Sequence, residues 1–407
     1  VHGITIVPDG NITSPQGFRA GSVAAGLRKK NRKDLGILVS DVPAVAAGVY
    51  TTNRVQAAPL KLTERTIKSG RRLQAIVCNS GNANACTGHQ GETDALTMQQ
   101  WLASDLGISP SLVGVGSTGV IGQCLPMDLI DKGIQNAVAK LSATPEAGEG
   151  FGQAILTTDT VKKSSCVRFT IDGKPVTLAG AAKGSGMIHP NMATMMGFVC
   201  TDAAVTEGAL QRLLRAATEK SFNRITVDGD TSTNDCVLAL ANGLAGNAPL
   251  DEQHPDWVTF SAAFTHVCQS LAKQIARDGE GATKLIEVQV CQAVTEPEAA
   301  QVAKAIIGSS LVKSAIFGTD ANWGRILAAA GYSGVAIDPD TVDIYLGEIQ
   351  VARDGMGIPF DEDAAKTYLE QDIIQIFVHL KQGEAQALAW GCDLTYDYVR
   401  INARYRT

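Results

Sequence analysis

The chain has 407 residues, of which 45% are hydrophobic and 19% charged, with a formal net charge of −6. That length is enough for two ordinary domains and a large core, while 41 Gly and 14 Pro are too few for a collagen-like or low-complexity chain. The slight acidic excess, 41 Asp and Glu against 35 Lys and Arg, offers no basic field for holding nucleic acid.

In chain order, the basic run Arg28-Lys-Lys-Asn-Arg-Lys33 reads as a solvated face or turn. Leu73-Gln-Ala-Ile-Val-Cys78 and Ser111-Leu-Val-Gly-Val115 are strand-like apolar runs, with a helical run from Asp94 to Leu106 between them. The Ala-, Gly- and Glu-rich stretch 142–152 is the best candidate for a flexible connection. Leu210, Leu213, Leu214 and Ala217 recur at i, i+3, i+4 and i+7, one face of a helix. Leu285, Glu287 and Gln289 alternate with Ile286, Val288 and Val290 as a strand does, and Thr295-Glu-Pro-Glu298 has the form of a capping box ahead of a helix over 299–307. Strands and helices alternate in both halves, with no internal repeat and no long linker.

The nine cysteines are scattered without a C-x-x-C pair, so they read as small buried hydrophobes of a reducing compartment. The six histidines are widely scattered along the chain, so no metal site is expected. No apolar stretch approaches the roughly 20 residues a membrane helix needs, and Val1 to Gly10 lacks a basic region followed by an apolar one. The expectation is a soluble, cytoplasmic chain with no membrane partner, a removed leader being left open.

Two glycine-punctuated segments compete for the chemistry. Gly114-x-Gly116-x-x-Gly119 spells a dinucleotide fingerprint, but Pro126 soon follows, no clear amphipathic helix opens from it, and no acidic residue ends a second strand about 20 residues on. It is read as a decoy. Lys183-Gly-Ser-Gly-Met-Ile-His-Pro-Asn-Met-Ala-Thr-Met-Met-Gly-Phe198 is poor material for a regular element. On composition it is a loop with a methionine cluster entering the core. Its chemical reading concerns Thr194: a threonine hydroxyl is activated when the preceding peptide bond is cut, because the freed α-amine, with a pKa of about 7.7–8.0, becomes a base held beside it. A small residue at Ala193 and the preceding glycines permit the backbone strain such a cut requires.

Lys183 to Thr194 closely resembles the self-processing segment of the ornithine acetyltransferase (glutamate N-acetyltransferase) family of arginine biosynthesis. Further segments agree in order: Asn79-Ser-Gly-Asn-Ala-Asn-Ala-Cys-Thr-Gly88, Gly116-Ser-Thr-Gly-Val-Ile-Gly122, Thr157-Thr-Asp-Thr160, Asp228-Gly-Asp-Thr-Ser-Thr-Asn-Asp235, Ala276-Arg-Asp-Gly-Glu-Gly281, Gly318-Thr-Asp-Ala-Asn-Trp-Gly-Arg325 and Arg400-Ile-Asn-Ala-Arg-Tyr-Arg-Thr407. The resemblance covers essentially the whole chain.

It implies an α+β fold, a layered α/β/β/α sandwich resembling N-terminal-nucleophile hydrolases in layout but distinct in topology. It implies cleavage of the Ala193–Thr194 bond into an α chain, 1–193, and a β chain, 194–407. The two would share one structural unit, with a smaller C-terminal lobe over approximately 282–407, and assemble as an α2β2 heterotetramer. Thr194 is the implied nucleophile, and its freed amine the base. Thr118 and Gly119 form the implied oxyanion hole, and Thr157, Lys183, Thr194, Glu280, Asn402 and Thr407 the implied substrate contacts, Thr157 being taken from the pair Thr157-Thr158. The implied reaction moves acetyl from N2-acetyl-L-ornithine to L-glutamate with no metal or redox cofactor, acetyl-CoA remaining open as a second donor. Asp228 to Asp235 and Asn322 to Arg325 read as structural support of the site. Two rivals stand beside this reading: a self-processed aminopeptidase or amidase with water as acceptor, and an unprocessed, non-enzymatic relative.

Overall fold

The computed structural model describes residues 3–28, 32–189 and 195–404. Ala193, Thr194 and Thr407 therefore lie outside the described residues. Nine strands form one sheet: β1 Thr5–Ile6, β2 Phe18–Val23, β3 Leu35–Tyr50, β4 Arg72–Asn82, β5 Val113–Val120, β6 Lys163–Ile171, β7 Lys174–Lys183, β8 Met196–Thr201 and β9 Cys236–Ala241. Their order is β1-β6-β7-β8-β9-β3-β4-β5, with β2 also on β3. Six more make a second sheet in the order β13-β12-β11-β14-β10-β15: β10 Leu285–Ala293, β11 Asp343–Leu346, β12 Ile349–Arg353, β13 Met356–Gly357, β14 Ile373–His379 and β15 Ala385–Cys392. The helices are α1 Ala58–Gly70, α2 Gly88–Leu106, α3 Met127–Val138, α4 Pro145–Ala154, α5 Glu207–Glu219, α6 Trp257–Arg277, α7 Glu296–Gly308, α8 Ser310–Phe317, α9 Trp323–Gly331, α10 Glu362–Leu369 and α11 Tyr396–Asn402.

Strand β3 organises the large sheet. It runs 16 residues, and its register against β4 shifts between Val39 and Ala44. Before the break β3 pairs with β2, and after it with β9. Because a strand sends alternate side chains to opposite faces, each half of the sheet feeds two cores. Ile37, Val77 and Val115 join Met98 and Leu102 of α2 and Ile130 and Ile134 of α3 in one outer core. Their neighbours Leu38, Ile76 and Cys78 turn inward to meet Phe198, Leu238 and Leu240 of β8 and β9. Val199 and Val237 face the other way, onto Leu210, Leu213 and Leu214 of α5 and Phe260, Phe264 and Leu271 of α6. Helices, sheet, sheet, helices is thus the layer order, the α/β/β/α sandwich that the resemblance implies. In the second sheet Ile286, Val288 and Val290 pack on α7, α8 and α9, whereas Leu285, Trp390 and Cys392 join the α5–α6 core.

Several local readings hold. All four residues of the α5 stripe are buried, and Thr295 and Glu298 make both bonds of the capping box. Others need correction. The run from Asp94 extends back to Gly88. Ser111 and Leu112 belong to a 3₁₀ turn before β5. The stretch 142–152 is no flexible connection: Thr144 caps α4, with Pro145 in its first turn, and Phe151 is fully buried, edge-on to Phe198 at 5.2 Å. The α4 glycines are packing residues, since a Cβ on Gly148 would sit 2.0 Å from Asn11 Oδ1. Cys86 and Cys124 are exposed rather than buried. Among the described residues no single helix is long and apolar enough to cross a membrane.

Candidate functional site

Strand ends from both halves of the large sheet converge on one cavity of about 90 Å³, lined among others by Thr118, Gly119, Thr157, Lys183, Glu280 and Asn402. Every described residue of the implied oxyanion hole and substrate set is therefore in one place. Thr158 lines it too, but Thr157 is the more buried of the pair. An adjoining cavity of about 20 Å³ is lined by Thr118, Lys183, Met195 and Asp235 among others. Met195 is the first described residue after the implied nucleophile, Thr194.

Thr118 and Gly119 close β5 where its parallel register on β4 becomes irregular, at Gly81 and Asn82. Gly119 has φ +133, and a Cβ there would meet Gly81 C at 2.3 Å, so the close approach of these strands admits only glycine. The three glycines of 114–119 lie within β5, and the next helix, α3, opens only at Met127. No glycine-rich turn leads from strand to helix, which removes the dinucleotide reading.

Lys183 ends β7, is buried, and donates from Nζ to Thr118 Oγ1 at 3.3 Å. Behind it lies an ionic core that the sequence reading missed. Lys163, its side chain wholly inaccessible, reaches Asp159 at 2.7 Å and Asp278 at 2.6 Å. Asp159 also accepts from Gly184 N–H at 2.7 Å and Thr157 N–H at 3.0 Å, fixing the backbone on both sides of the cavity. Burial pushes the Asp159 carboxyl up, but Lys163, Lys183 and the Gly184 N–H outweigh it and hold the group below the usual carboxylate range. Asp278 accepts from Thr160 N–H, while its carbonyl accepts from Ser185 Oγ at 2.7 Å.

Two residues along from Asp278, the Glu280 N–H donates to Ser185 O at 3.0 Å, and its buried carboxylate accepts from Asn402 Nδ2 at 2.7 Å. A Cβ on Gly186 would lie 2.4 Å from Glu280 Cδ, so that glycine makes room for the acid. Helix α11 reaches the site because Thr395 Oγ1 donates to Gly281 O at 2.7 Å and Tyr398 Oη to Asp228 at 3.1 Å.

The Asp228–Asp235 motif braces the loop entering residue 190. Asp228 accepts from Met187 N–H at 2.7 Å and Ile188 N–H at 2.8 Å, and Thr231 Oγ1 donates to His189 O at 3.0 Å. Asn234 Nδ2 ties Ala83 O at 2.6 Å to Ser117 O at 2.8 Å. Asn322, in the other signature, caps α9 through Arg325 N–H. Arg28 is not on a solvated face: it is half-buried and donates to Leu156 O at 2.7 Å and Thr157 O at 2.6 Å. Asp159 and Asp278 sit inside segments that the resemblance marks, whereas Lys163 and Arg28 carry no comparable local signal. A larger cavity of about 860 Å³ between α5 and α7 holds none of the implied site residues.

Fold and cavity define a layered α/β/β/α enzyme whose small, polar substrate site carries a buried lysine and a buried glutamate. The ArgJ family model matches residues 19–407, and the chain belongs to that family. It is 56% identical over 98% of its length, and 97% of the relative's, to the arginine biosynthesis bifunctional protein ArgJ of Bacillus licheniformis. It is 54% identical, with the same coverage, to the protein of that name from Bacillus subtilis. A solved chain of the same name from Bacillus halodurans is 56% identical with a TM-score of 0.50, covering 51% of this chain and 98% of that one. This kinship does not favour the hydrolase or the non-enzymatic rival.

Proposed function

We propose that the chain transfers acetyl from N2-acetyl-L-ornithine to L-glutamate through an acetyl ester on Thr194, after cutting itself between Ala193 and Thr194. The observation that carries the reading is the convergence of Thr118, Gly119, Thr157, Lys183, Glu280 and Asn402 on one cavity. In the first half-reaction the Thr194 oxygen bonds to the acetyl carbon while its proton passes to the Thr194 amine. Thr118 Oγ1–H and Gly119 N–H donate to the oxyanion, a service worth about 3–4 kcal/mol per donor. The carbon–nitrogen bond breaks as ornithine nitrogen takes the proton. Glutamate's amine then attacks the ester, and Thr194 recovers its hydroxyl.

Both substrates are amino-acid derivatives. Lys183 suits their carboxylate and Glu280 an ammonium group, with Asn402 orienting Glu280 and Thr407 adding a polar contact. The proposed steps draw on groups of the chain itself, two threonine hydroxyls, an α-amine and a backbone N–H, and call for no metal or redox cofactor. The relatives' description as bifunctional supports acetyl-CoA as a second donor to glutamate. The match of the solved relative, nearly all of its chain on 51% of this one, supports processing into chains 1–193 and 194–407. An α2β2 assembly in the cytoplasm completes the proposal.

The test is purified protein with acetylornithine and glutamate. Acetylglutamate should form with parallel-line, ping-pong kinetics, and mass spectrometry should find a new N-terminus at Thr194. Acetate release without transfer to glutamate would overturn the reading. A parallel assay with acetyl-CoA and glutamate tests the second donor.

A further inference from the structure

Asp235 stands at the site with a carboxyl that the acyl transfer leaves unused. It immediately precedes β9, is 5% exposed, and its Oδ2 has no hydrogen-bond partner among the described residues. Burying a carboxyl oxygen without a partner is costly, so its retention calls for an explanation. It lines the small cavity with Thr118, Lys183 and Met195. β8 and β9 run parallel with Met196 opposite Cys236, and Cys236 N–H donates to Met195 O at 2.9 Å. The residues after Asp235 and after Thr194 are thus bonded to each other. Burial pushes the Asp235 carboxyl up from the ordinary carboxylate range, with Lys183 opposing.

The uncut chain has a chemical gap at this point. While the nitrogen of Thr194 is still an amide it cannot serve as a base, so the first cut needs another proton carrier. We propose that Asp235 carries the proton during cleavage of the Ala193–Thr194 bond, and that the freed Thr194 amine takes over that work afterwards. This inference rests on the assignment of Thr194 as nucleophile.

The Thr194 oxygen bonds to the Ala193 carbonyl carbon and gives its proton to Asp235, which delivers a proton to the Thr194 nitrogen as the carbon–nitrogen bond breaks. Water then adds to the resulting ester. The oxygen–carbon bond to Thr194 breaks, and one water proton passes through Asp235 to the Thr194 oxygen, leaving the acid of Ala193.

Wild type, Asp235→Asn, Asp235→Glu and Thr194→Ala are produced as single chains and followed by mass spectrometry. The first two are also produced as two chains, 1–193 and 194–407, with Thr194 as the second N-terminus. Asp235→Asn should slow cleavage about 100-fold or more, the lower range for proton transfer by a positioned side chain, and Asp235→Glu should restore part of it. In the two-chain form the loss of acetyl transfer in Asp235→Asn should be at least about tenfold smaller than its loss of cleavage. Cleavage of Asp235→Asn at the wild-type rate overturns the proposal, as does an equal loss in both forms, which marks Asp235 as structural. Cleavage of Thr194→Ala at the same bond instead overturns the nucleophile assignment itself.

Discussion

Lys183 Nζ donates to Thr118 Oγ1 at 3.3 Å, so a charge at the end of β7 meets a hydroxyl at the end of β5 between the two stacked half-sheets. With its oxygen accepting from the lysine, the Thr118 hydroxyl keeps its own hydrogen to donate elsewhere. That polarity suits an oxyanion. Thr118→Val keeps the β-branched shape and removes the donor. It should lower kcat about 100- to 1,000-fold with a much smaller change in the melting temperature, and Thr118→Ser should recover most of the rate. Steady-state kinetics beside thermal melts separate a lost donor from a damaged strand.

The pairs of Lys163 with Asp159 and Asp278, at 2.7 and 2.6 Å, are buried on both sides. Removing one partner of such a pair costs about 3–5 kcal/mol, because the remaining charge is stranded. Lys163→Met should destabilise the protein by that much and raise KM, since Asp159 also holds the Thr157 and Gly184 backbones. Adding Asp159→Asn and Asp278→Asn should return part of the stability. Denaturant titrations of the single and triple variants read the difference, and a triple variant no better than the single one would deny the charge a role.

What was legible in the sequence follows the range of the forces involved. The α5 stripe and the Thr295–Glu298 box form as read because three or four residues decide them. The layered class and the site set came from the resemblance, and the described members do meet in one cavity. Arg28 escaped because its partners, Leu156 and Thr157, come from a distant segment. Lys163 escaped likewise, its ammonium being matched by Asp278 at the end of α6. The segment 142–152 was misread for another reason. Glycine weakens a helix in isolation, but here it lets α4 lie against Asn11 and Ser22, and that packing outweighs propensity.

The α4 glycines therefore support a direct test. Gly148→Ala, favourable in an exposed helix by about 1 kcal/mol, should destabilise this protein, because the new Cβ would lie 2.0 Å from Asn11 Oδ1 and 2.7 Å from Thr13 Oγ1. Phe151→Ala should cost about 3–5 kcal/mol for the lost ring and its cavity. Protease digestion of the wild type should spare 145–154, as a docked helix requires. Rapid cutting there would restore the linker.

His189 links the site to the acid limit of the fold. Burial, and secondarily Lys304, pushes its imidazole down to about 4 from an ordinary 6.5, against the pull of Asp228. Its Nδ1 lies 3.0 Å from Thr226 Oγ1. Between pH 6.5 and 4 the unfolded chain binds a proton that the folded one refuses, so stability rises with pH across that window and is lost as pH falls through it. The imidazole is only partly buried, and after allowance for solvent screening the effect is about 1–2 kcal/mol. His189→Gln cannot titrate, so its stability curve should be flatter than the wild type's between pH 6.5 and 4 and parallel to it above about pH 7. Chemical denaturation at closely spaced pH values makes the comparison, and identical slopes in the acid window would assign the acid sensitivity to other groups.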